Sequence, residues 1–256
     1  MSKKKKPLKI KTALIIPDCH IPYHDRRAYE LMLQVAQDQE IDEIVILGDY
    51  ADFYGVNAHG ISPSVEKKLM QEVEEVIGHL EELNELFPKA KKVFIQGNHE
   101  YRLERYLKNK APELFGLVDT RKILNLKELG FNYVPYTPNQ KYQVMGSKLM
   151  ARHEPIGGGV HAAHSTVVKS GCSVIFGHIH RIQESQVVMM NDDNHRGISC
   201  GWLGDKDHEA VSYVKSHHQW SLGFSLVKML PNKNFFATTV QIIDYKCAYG
   251  DKIYEG

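Results

Sequence analysis

The 256-residue chain lacks several features that mark secreted and membrane proteins. Its four cysteines show no CxxC spacing, and a chain of this length does not need disulfide bonds. It has no run of about 18 apolar residues, and no apolar signal segment opens it. Its formal net charge is only +1, so there is no global electrostatic attraction to nucleic acid. We therefore expect a soluble, reduced, cytoplasmic protein that does not associate with a membrane.

The apolar content is high enough for one folded core. With 43% hydrophobic residues, 256 residues suffice for one sizeable core and are somewhat few for two full domains. We predict a basic, disordered tail over residues 1–11 and one domain over residues 12–256. The alternative for the lysine-rich tail is contact with a phosphate-rich partner. Within the domain, residues 101–130 are predicted to form a small helical cap.

The first half of the chain alternates between two kinds of hydrophobic pattern. Short apolar runs at residues 12–17, 43–47 and 92–96 predict buried strands. Residues 26–38 and 64–86 carry apolar side chains at helical spacing. Alternation of strands and helices is typical of parallel β-α-β units in a sheet that is covered on both faces.

Turn residues in the second half predict three hairpins, and hence antiparallel strands. The hairpins join residues 142–144 to 148–151, 182–190 to 195–199, and 222–229 to 235–243. A helix is predicted over residues 160–169. The simplest architecture that accommodates both halves is an α/β, two-sheet αββα sandwich, with mixed sheets and the helices outside.

Polar residues stand at the ends of the predicted strands, where ligands bind in open α/β sheets. Asp18, Asp49, Asn98 and His178 each follow an apolar run. Three of the four come directly after a glycine, which lets the backbone turn sharply and approach an ion. With their neighbours they form five blocks, which are Asp18-Cys19-His20, Gly48-Asp49-Tyr50-Ala51-Asp52, Gly97-Asn98-His99-Glu100, His153 and Gly177-His178-Ile179-His180.

This mixture of side chains points to metal chemistry. Carboxylate, amide oxygen and imidazole together suit divalent ions such as Mn²⁺, Fe²⁺ or Zn²⁺. Two such ions roughly 3.5–4 Å apart can clamp a phosphoryl group and generate hydroxide at neutral pH. A carboxylate must bridge them, and Asp49 is the acid at the centre of the series. A single block would be an ordinary turn or surface histidine, whereas all five in this order indicate a metal site.

From residue 12 to about residue 181, the sequence resembles the calcineurin-like metallophosphoesterases, whose five motif blocks it matches in order. The resemblance implies a two-sheet α/β sandwich and hydrolysis of phosphate esters by a hydroxide that bridges two divalent ions, with manganese favoured and iron or zinc as alternatives. By the same resemblance, one metal is held by Asp18, His20, Asp49 and His180, and the other by Asp49, Asn98, His153 and His178.

Two further residues receive catalytic roles from the resemblance. His99 faces the substrate in the family, and an imidazole can donate a proton near neutral pH. We predict that it protonates the leaving oxygen or, as a cation, stabilises the transition state. Asp52 is the predicted partner that orients His99. Cys19 lies between two predicted ligands, but strand alternation should point its side chain into the core.

Substrate contacts are predicted for four residues. Arg102 and Arg105 follow the third block on a predicted helix, one turn apart, from where they could reach a phosphate. The alternative for both is a solvated helix face. Asn57 and His59 belong to a loop that could overhang the site. Trp220 is expected to pack in the core.

The substrate class remains open at this level. Phe53 and Tyr54 stand where phosphoprotein phosphatases of this superfamily carry Arg-Gly, and Ile21 and Glu154 stand where they carry glycine. These departures count against a phosphoprotein phosphatase. A phosphodiesterase or nuclease, with nucleic acid or a nucleotide as the partner, is favoured by His99, the basic N-terminus, Arg102 and Arg105. The alternatives are a phosphomonoesterase acting on nucleotides or phosphoproteins and, in another class, a metal-binding scaffold without turnover.

Overall fold

The computed structural model describes residues 10–56, 69–190, 192–208 and 219–256. The predicted basic tail, apart from its last two residues, and the predicted substrate residues Asn57 and His59 lie outside these ranges. The elements of the first half are β1 (Lys11–Ile16), α1 (Arg26–Gln37), β2 (Glu43–Ile46), α2 (Leu69–Leu86), β3 (Lys91–Ile95), α3 (Tyr101–Lys110), α4 (Thr120–Ile123) and β4 (Phe131–Val134). Those of the second half are β5 (Tyr142–Gln143), β6 (Leu149–Arg152), α5 (Ala162–Ser170), β7 (Ser173–Phe176), β8 (Ile182–Val188), β9 (Asn194–Cys200), β10 (Gly223–Met229), β11 (Phe235–Gln241), β12 (Lys246–Tyr249) and β13 (Lys252–Glu255).

Within the described ranges, the first sheet has six strands in the order β11-β10-β1-β2-β3-β4. Strands β1 to β4 are parallel, and Ile16 lies opposite Ile46, which lies opposite Phe94. Strand β1 is buried at five of its six residues. A parallel strand that is covered on both faces reads as a continuous apolar run, and this explains why the sequence pattern predicted β1 to β3 correctly.

The second sheet, as far as the structure describes the chain, has five strands in the order β5-β6-β7-β9-β8. The three predicted hairpins are present as the antiparallel pairs β5–β6, β8–β9 and β10–β11. Antiparallel pairing does not extend through the whole second half, however, because β6, β7 and β9 are parallel to one another. The β10–β11 hairpin is not part of this sheet, because β10 pairs with β1 of the first sheet.

The two sheets pack face to face, and the helices cover their outer faces. Apolar side chains of both sheets form the core between them, and the outer face of the first sheet packs against α1 and α2. Helix α5 packs on the outer face of the second sheet through Ala162 and Ala163. This arrangement confirms the predicted αββα sandwich with mixed sheets. Within the described part of the chain, none of the helices has the length and apolar character needed to cross a bilayer.

The connections after the strands carry the functional residues. Helices α3 and α4, with a 3₁₀ turn between them, occupy the segment between β3 and β4 that was predicted as a helical cap. Leu103 and Leu107 attach α3 to the larger core. Asp18 follows β1, Asp49 follows β2, and Asn98 follows β3. Because parallel strands end at the same edge of a sheet, these residues are brought close together.

Candidate metal centre

The seven predicted metal-binding residues lie in one site, in which all but the half-buried Asn98 and His178 are buried. Asp18, His20, Asp49 and His180 form one group, and Asp49, His153 and His178 form another; within each group the potential ligand atoms all lie within 4.8 Å of one another. Asn98 adjoins the second group, because its Oδ1 lies 2.8 Å from both His153 Nε2 and His178 Nδ1. Asp49 is common to the two groups, as the sequence predicts for a bridging acid.

The donor atoms are arranged as a cation would require. Nε2 of His20 and Nε2 of His180 face each other at 3.1 Å, and His180 Nε2 lies 3.5 Å from Asp18 Oδ1. Asp18 is fully buried and Asp49 is 1% exposed. Buried carboxylates are stable only when they are paired or bound to metal. Imidazole and carboxylate donors at this density fit a borderline divalent ion such as Mn²⁺, Fe²⁺ or Zn²⁺.

Hydrogen bonds to the remote ring nitrogens orient two of the histidines. His153 Nδ1 lies 3.0 Å from the carbonyl oxygen of Leu47, to which it can donate. His20 Nδ1 lies 3.0 Å from Asp52 Oδ2. When Nδ1 carries the donated proton, the lone pair of Nε2 is left for a metal. The structure therefore supplies the outer partners that metal-binding histidines need.

The backbone is strained where it presents these side chains. His20, Asp49, His178 and His180 have positive φ angles of 56°, 49°, 68° and 55°. Such angles are uncommon for residues other than glycine and concentrate at functional sites. Glycine is required next to them: a Cβ on Gly97 would collide with the Asp49 carboxylate.

Burial and neighbouring charges perturb the titration of the site. Burial raises the pKa of Asp49, but the proximity of His153 and His99 outweighs this and holds that pKa well below its usual range. Burial lowers the pKa of His180 to about 4 in spite of the Asp18 carboxylate beside it. His180 is consequently neutral at pH 7, which is the state in which an imidazole binds metal.

His99 and Asp52 are in contact, as predicted, and Arg102 joins them. Asp52 Oδ2 lies 3.0 Å from His99 Nδ1, while Arg102 donates to Asp52 Oδ1 at 3.0 Å. A second nitrogen of Arg102 lies 2.9 Å from His99 Nε2. Burial raises the pKa of Asp52, but the proximity of His99 and His20 holds it far below its usual range. Arg102 is only 8% exposed, so it does not lie on a solvated helix face, whereas Arg105 is exposed.

Glu100 is a positioning residue that the sequence analysis left without a role. It is fully buried and its carboxylate accepts three backbone hydrogen bonds, from Asp49, Ala51 and Gly97, at 2.8–3.0 Å. Burial and the charge of Asp49 raise its pKa to about 7. The hydrogen bonds of Glu100 connect the turn after β2 to the turn after β3. Its position directly after His99 in the third block is the sequence feature that could have indicated a role for Glu100 in the site.

Two tryptophans surround His180. Trp202 is buried and stacks on the His180 ring at 4.8 Å with an interplanar angle of 15°. Trp220 meets the same ring edge-on at 4.3 Å. The expectation of a core position for Trp220 is wrong, because this residue is half-buried and borders the site. Cys19, in contrast, packs in the larger core, as strand alternation predicts. The contacts of these tryptophans with His180 could not be predicted from a local sequence pattern, because both tryptophans are distant from His180 in sequence.

A family model described as calcineurin-like phosphoesterase matches residues 11–182, a range that includes all five motif blocks. The Gene 54 protein of Mycobacterium phage L5 is 26% identical over 228 residues, which cover 85% of this chain and 88% of that protein. Vacuolar protein sorting 29 from Cryptosporidium parvum aligns at 11% identity with a TM-score of 0.46, covering 96% of this chain and 99% of that chain. The phosphoesterase Yfce from E. coli aligns at 15% identity with a TM-score of 0.40, covering 90% and 98%.

Proposed function

The chain belongs to the calcineurin-like phosphoesterase family, and we propose that it hydrolyses phosphodiesters, in nucleic acid or a nucleotide, with the aid of two divalent metal ions. The observation that carries the proposal is the position of Asp49 in both groups of potential ligands. One carboxylate shared by two ligand sets is the arrangement that holds a metal pair close enough to act on a single phosphoryl group.

Each metal would have its own set of ligands. Asp18, His20, Asp49 and His180 would hold one ion, and Asp49, Asn98, His153 and His178 the other. When bound, the ions supply Lewis acidity for the phosphoryl oxygens and lower the pKa of water, which provides a nucleophile at neutral pH. We expect Mn²⁺ to support activity in vitro, with Fe²⁺ or Zn²⁺ as alternatives.

His99 is the proton donor in this proposal. Its Nδ1 faces Asp52 Oδ2 at 3.0 Å, which fixes the ring and leaves Nε2 for the substrate. In the structure Nε2 faces Arg102 at 2.9 Å and therefore acts as an acceptor. A protonated Nε2 cannot accept that bond, so Arg102 must move away from Nε2 when His99 becomes the donor. The displaced guanidinium would then be free to bind a phosphate oxygen.

The choice of leaving group tests the role of His99 as a proton donor. A diester with an alkoxide leaving group needs a proton donor, whereas p-nitrophenolate leaves readily without one. His99→Ala should therefore slow hydrolysis of a dinucleotide by ~10²–10³-fold and hydrolysis of bis(p-nitrophenyl) phosphate by less than ~10-fold. Equal losses on both substrates would contradict the role of His99 as an acid and leave the cationic role.

The substrate class is tested with matched esters. In the presence of Mn²⁺, the wild-type protein should hydrolyse bis(p-nitrophenyl) phosphate with a higher kcat/KM than p-nitrophenyl phosphate. The reverse order would favour the phosphomonoesterase. Metal binding without hydrolysis of either ester, on a dinucleotide or on single-stranded DNA would favour the scaffold. Asp49→Asn is the key variant, because it should lose turnover together with at least one bound metal.

A further inference from the structure

We propose that His24, Glu75 and His79 form a separate binding site for a divalent cation of the zinc class. Their potential ligand atoms all lie within 4.8 Å of one another. None of the three belongs to the candidate metal centre or contacts the substrate in the proposed mechanism. Two imidazoles and one carboxylate are a common protein ligand set for Zn²⁺, with a water molecule completing the tetrahedron.

Two elements that are distant in sequence form this site. His24 lies in the connection between β1 and α1, next to Asp25, the N-cap of α1, and is 6% exposed. Glu75 and His79 lie four residues apart on α2, and both are half-buried. Residues four apart project from the same face of a helix. The α2 pair therefore faces the loop histidine as a unit.

The ring geometry allows the two histidines to coordinate the same metal ion. The ring centroids of His24 and His79 are 4.8 Å apart, and the rings are inclined at 85°. Perpendicular rings can each direct a nitrogen toward a common position, whereas stacked rings hold their nitrogens side by side. The ring of Tyr29 packs against both histidines, and its centroid lies 4.9 Å from that of His79 and 5.5 Å from that of His24.

His79 also has an outer carboxylate. Its Nδ1 lies 3.3 Å from Glu82 Oε2 on the same helix. A carboxylate on one ring nitrogen orients a histidine and makes its other nitrogen a better metal ligand. With Nδ1 bonded to Glu82, Nε2 of His79 is the nitrogen left for the metal.

The contact between Arg26 and Glu75 competes with a metal at this position. Arg26 approaches Glu75 Oε1 at 3.6 Å, but its side chain is 72% exposed, so the pair is weak and can open. A bound metal would then connect α2 to the loop between β1 and α1, the same loop that carries Asp18 and His20. The expected consequence is higher stability of this connection, without a requirement for catalytic turnover.

Zinc content and melting temperature test the proposal on the full-length chain. Metal-free wild type, His79→Gln, Glu75→Gln and the control Glu74→Gln are loaded with Zn²⁺ and analysed by mass spectrometry for bound metal. Glu74 is the exposed neighbour of Glu75, and its substitution removes the same charge. Wild type and Glu74→Gln should bind about one equivalent more than His79→Gln and Glu75→Gln. Their melting temperatures should also rise more on addition of Zn²⁺, because a ligand that binds the folded state stabilises it.

Equal zinc content and equal melting shifts in all four proteins would overturn the proposal. Far-UV circular dichroism of the metal-free proteins shows whether the variants are folded, and Glu75→Gln, which retains the side-chain shape, guards against failure of His79→Gln. The site is also distinguished from the candidate metal centre. The difference between wild type and His79→Gln should persist in the Asp49→Asn background, and its disappearance there would contradict an independent site.

Discussion

Asp52 supports a proposed metal ligand and a proposed proton donor at once, and Asp52→Asn should impair both. Its Oδ2 lies 3.0 Å from Nδ1 of His20 and 3.0 Å from Nδ1 of His99, while Oδ1 accepts from Arg102 at 3.0 Å. An asparagine must turn its NH₂ group either toward Arg102 or toward the two histidines. The first orientation places a donor against a donor. The second lets the histidines accept only when their proton is on Nε2, the nitrogen that His20 needs for a metal, so the shape is retained while the hydrogen bonding is disrupted.

The size of the effect follows from these contacts. Loss of an outer carboxylate typically reduces metal affinity or activity by ~10–100-fold, which is ~1.4–2.7 kcal/mol. The part that acts through His99 should lower kcat, and the part that acts through His20 should raise the metal concentration needed for activity. The variant should also be less stable, by on the order of 3 kcal/mol, since it leaves the charge of Arg102 buried without its carboxylate.

A double-mutant cycle separates the two parts. Hydrolysis of a dinucleotide is measured against Mn²⁺ concentration for wild type, Asp52→Asn, His99→Ala and the double variant. In the His99→Ala background, Asp52→Asn should cost little further kcat but should still raise the half-activating Mn²⁺ concentration by ~10-fold. The exposed-acid variant Asp38→Asn is the matched control and should resemble wild type. Multiplicative kcat losses with an unchanged Mn²⁺ dependence would refute the shared role of Asp52.

Three further predictions rest on burial and stacking. Burial and the neighbouring Asp52 raise the pKa of Glu72 from its ordinary value of 4.5 to about 7, so stability should fall as the pH rises between these two values. Glu72→Gln should not show this loss, and it should gain on the order of 2 kcal/mol relative to wild type between about pH 5 and about pH 7, as measured by denaturant unfolding. Burial raises the pKa of the Cys19 thiol well above its usual range. A maleimide should therefore modify the half-buried Cys172 first and Cys19 only after unfolding. Detection of labelled Cys19 in the native protein by mass mapping would contradict this prediction. Trp202→Leu removes the ring stacked on His180 and should raise the half-activating Mn²⁺ concentration by ~10-fold without unfolding the chain; an unchanged value would show that the stacking does not support this ligand.

The sequence was sufficient to predict that the ligands converge, because that convergence depends on local patterns. Each apolar run specifies a buried strand, and parallel strands end at one edge of their sheet. A polar residue directly after such a run, as at Asp18, Asp49 and Asn98, must therefore lie at that edge. The hairpins were predicted correctly for a similar reason, since turn residues and flanking strands are close in sequence.

Features that depend on contacts distant in sequence could not be predicted. Turn residues establish that β10 pairs with β11, but not that the hairpin adds to β1 in the first sheet. Strand β4 begins directly after the predicted cap and was not predicted, because it has only four residues and no clear alternation. The positive φ angles of His20 and Asp49 also escape prediction, since the surrounding structure imposes them against local preference. Helical spacing likewise could not show that Arg102 turns inward to Asp52 while Arg105 turns outward.

The contacts around Asp52 connect a proposed metal ligand to the proposed proton donor. His20 is a proposed ligand and His99 is not, yet both rings are oriented by the same carboxylate oxygen, and their ring centroids are only 4.4 Å apart. Any shift of His20 that accompanies metal binding should therefore also change the position of His99, because both rings contact Asp52 Oδ2. Arg102 balances the charge of that carboxylate and faces His99 Nε2 at 2.9 Å. If the proposed function is correct, His99 would be placed as the proton donor only when His20 is also in position, and this would couple catalysis to metal occupancy.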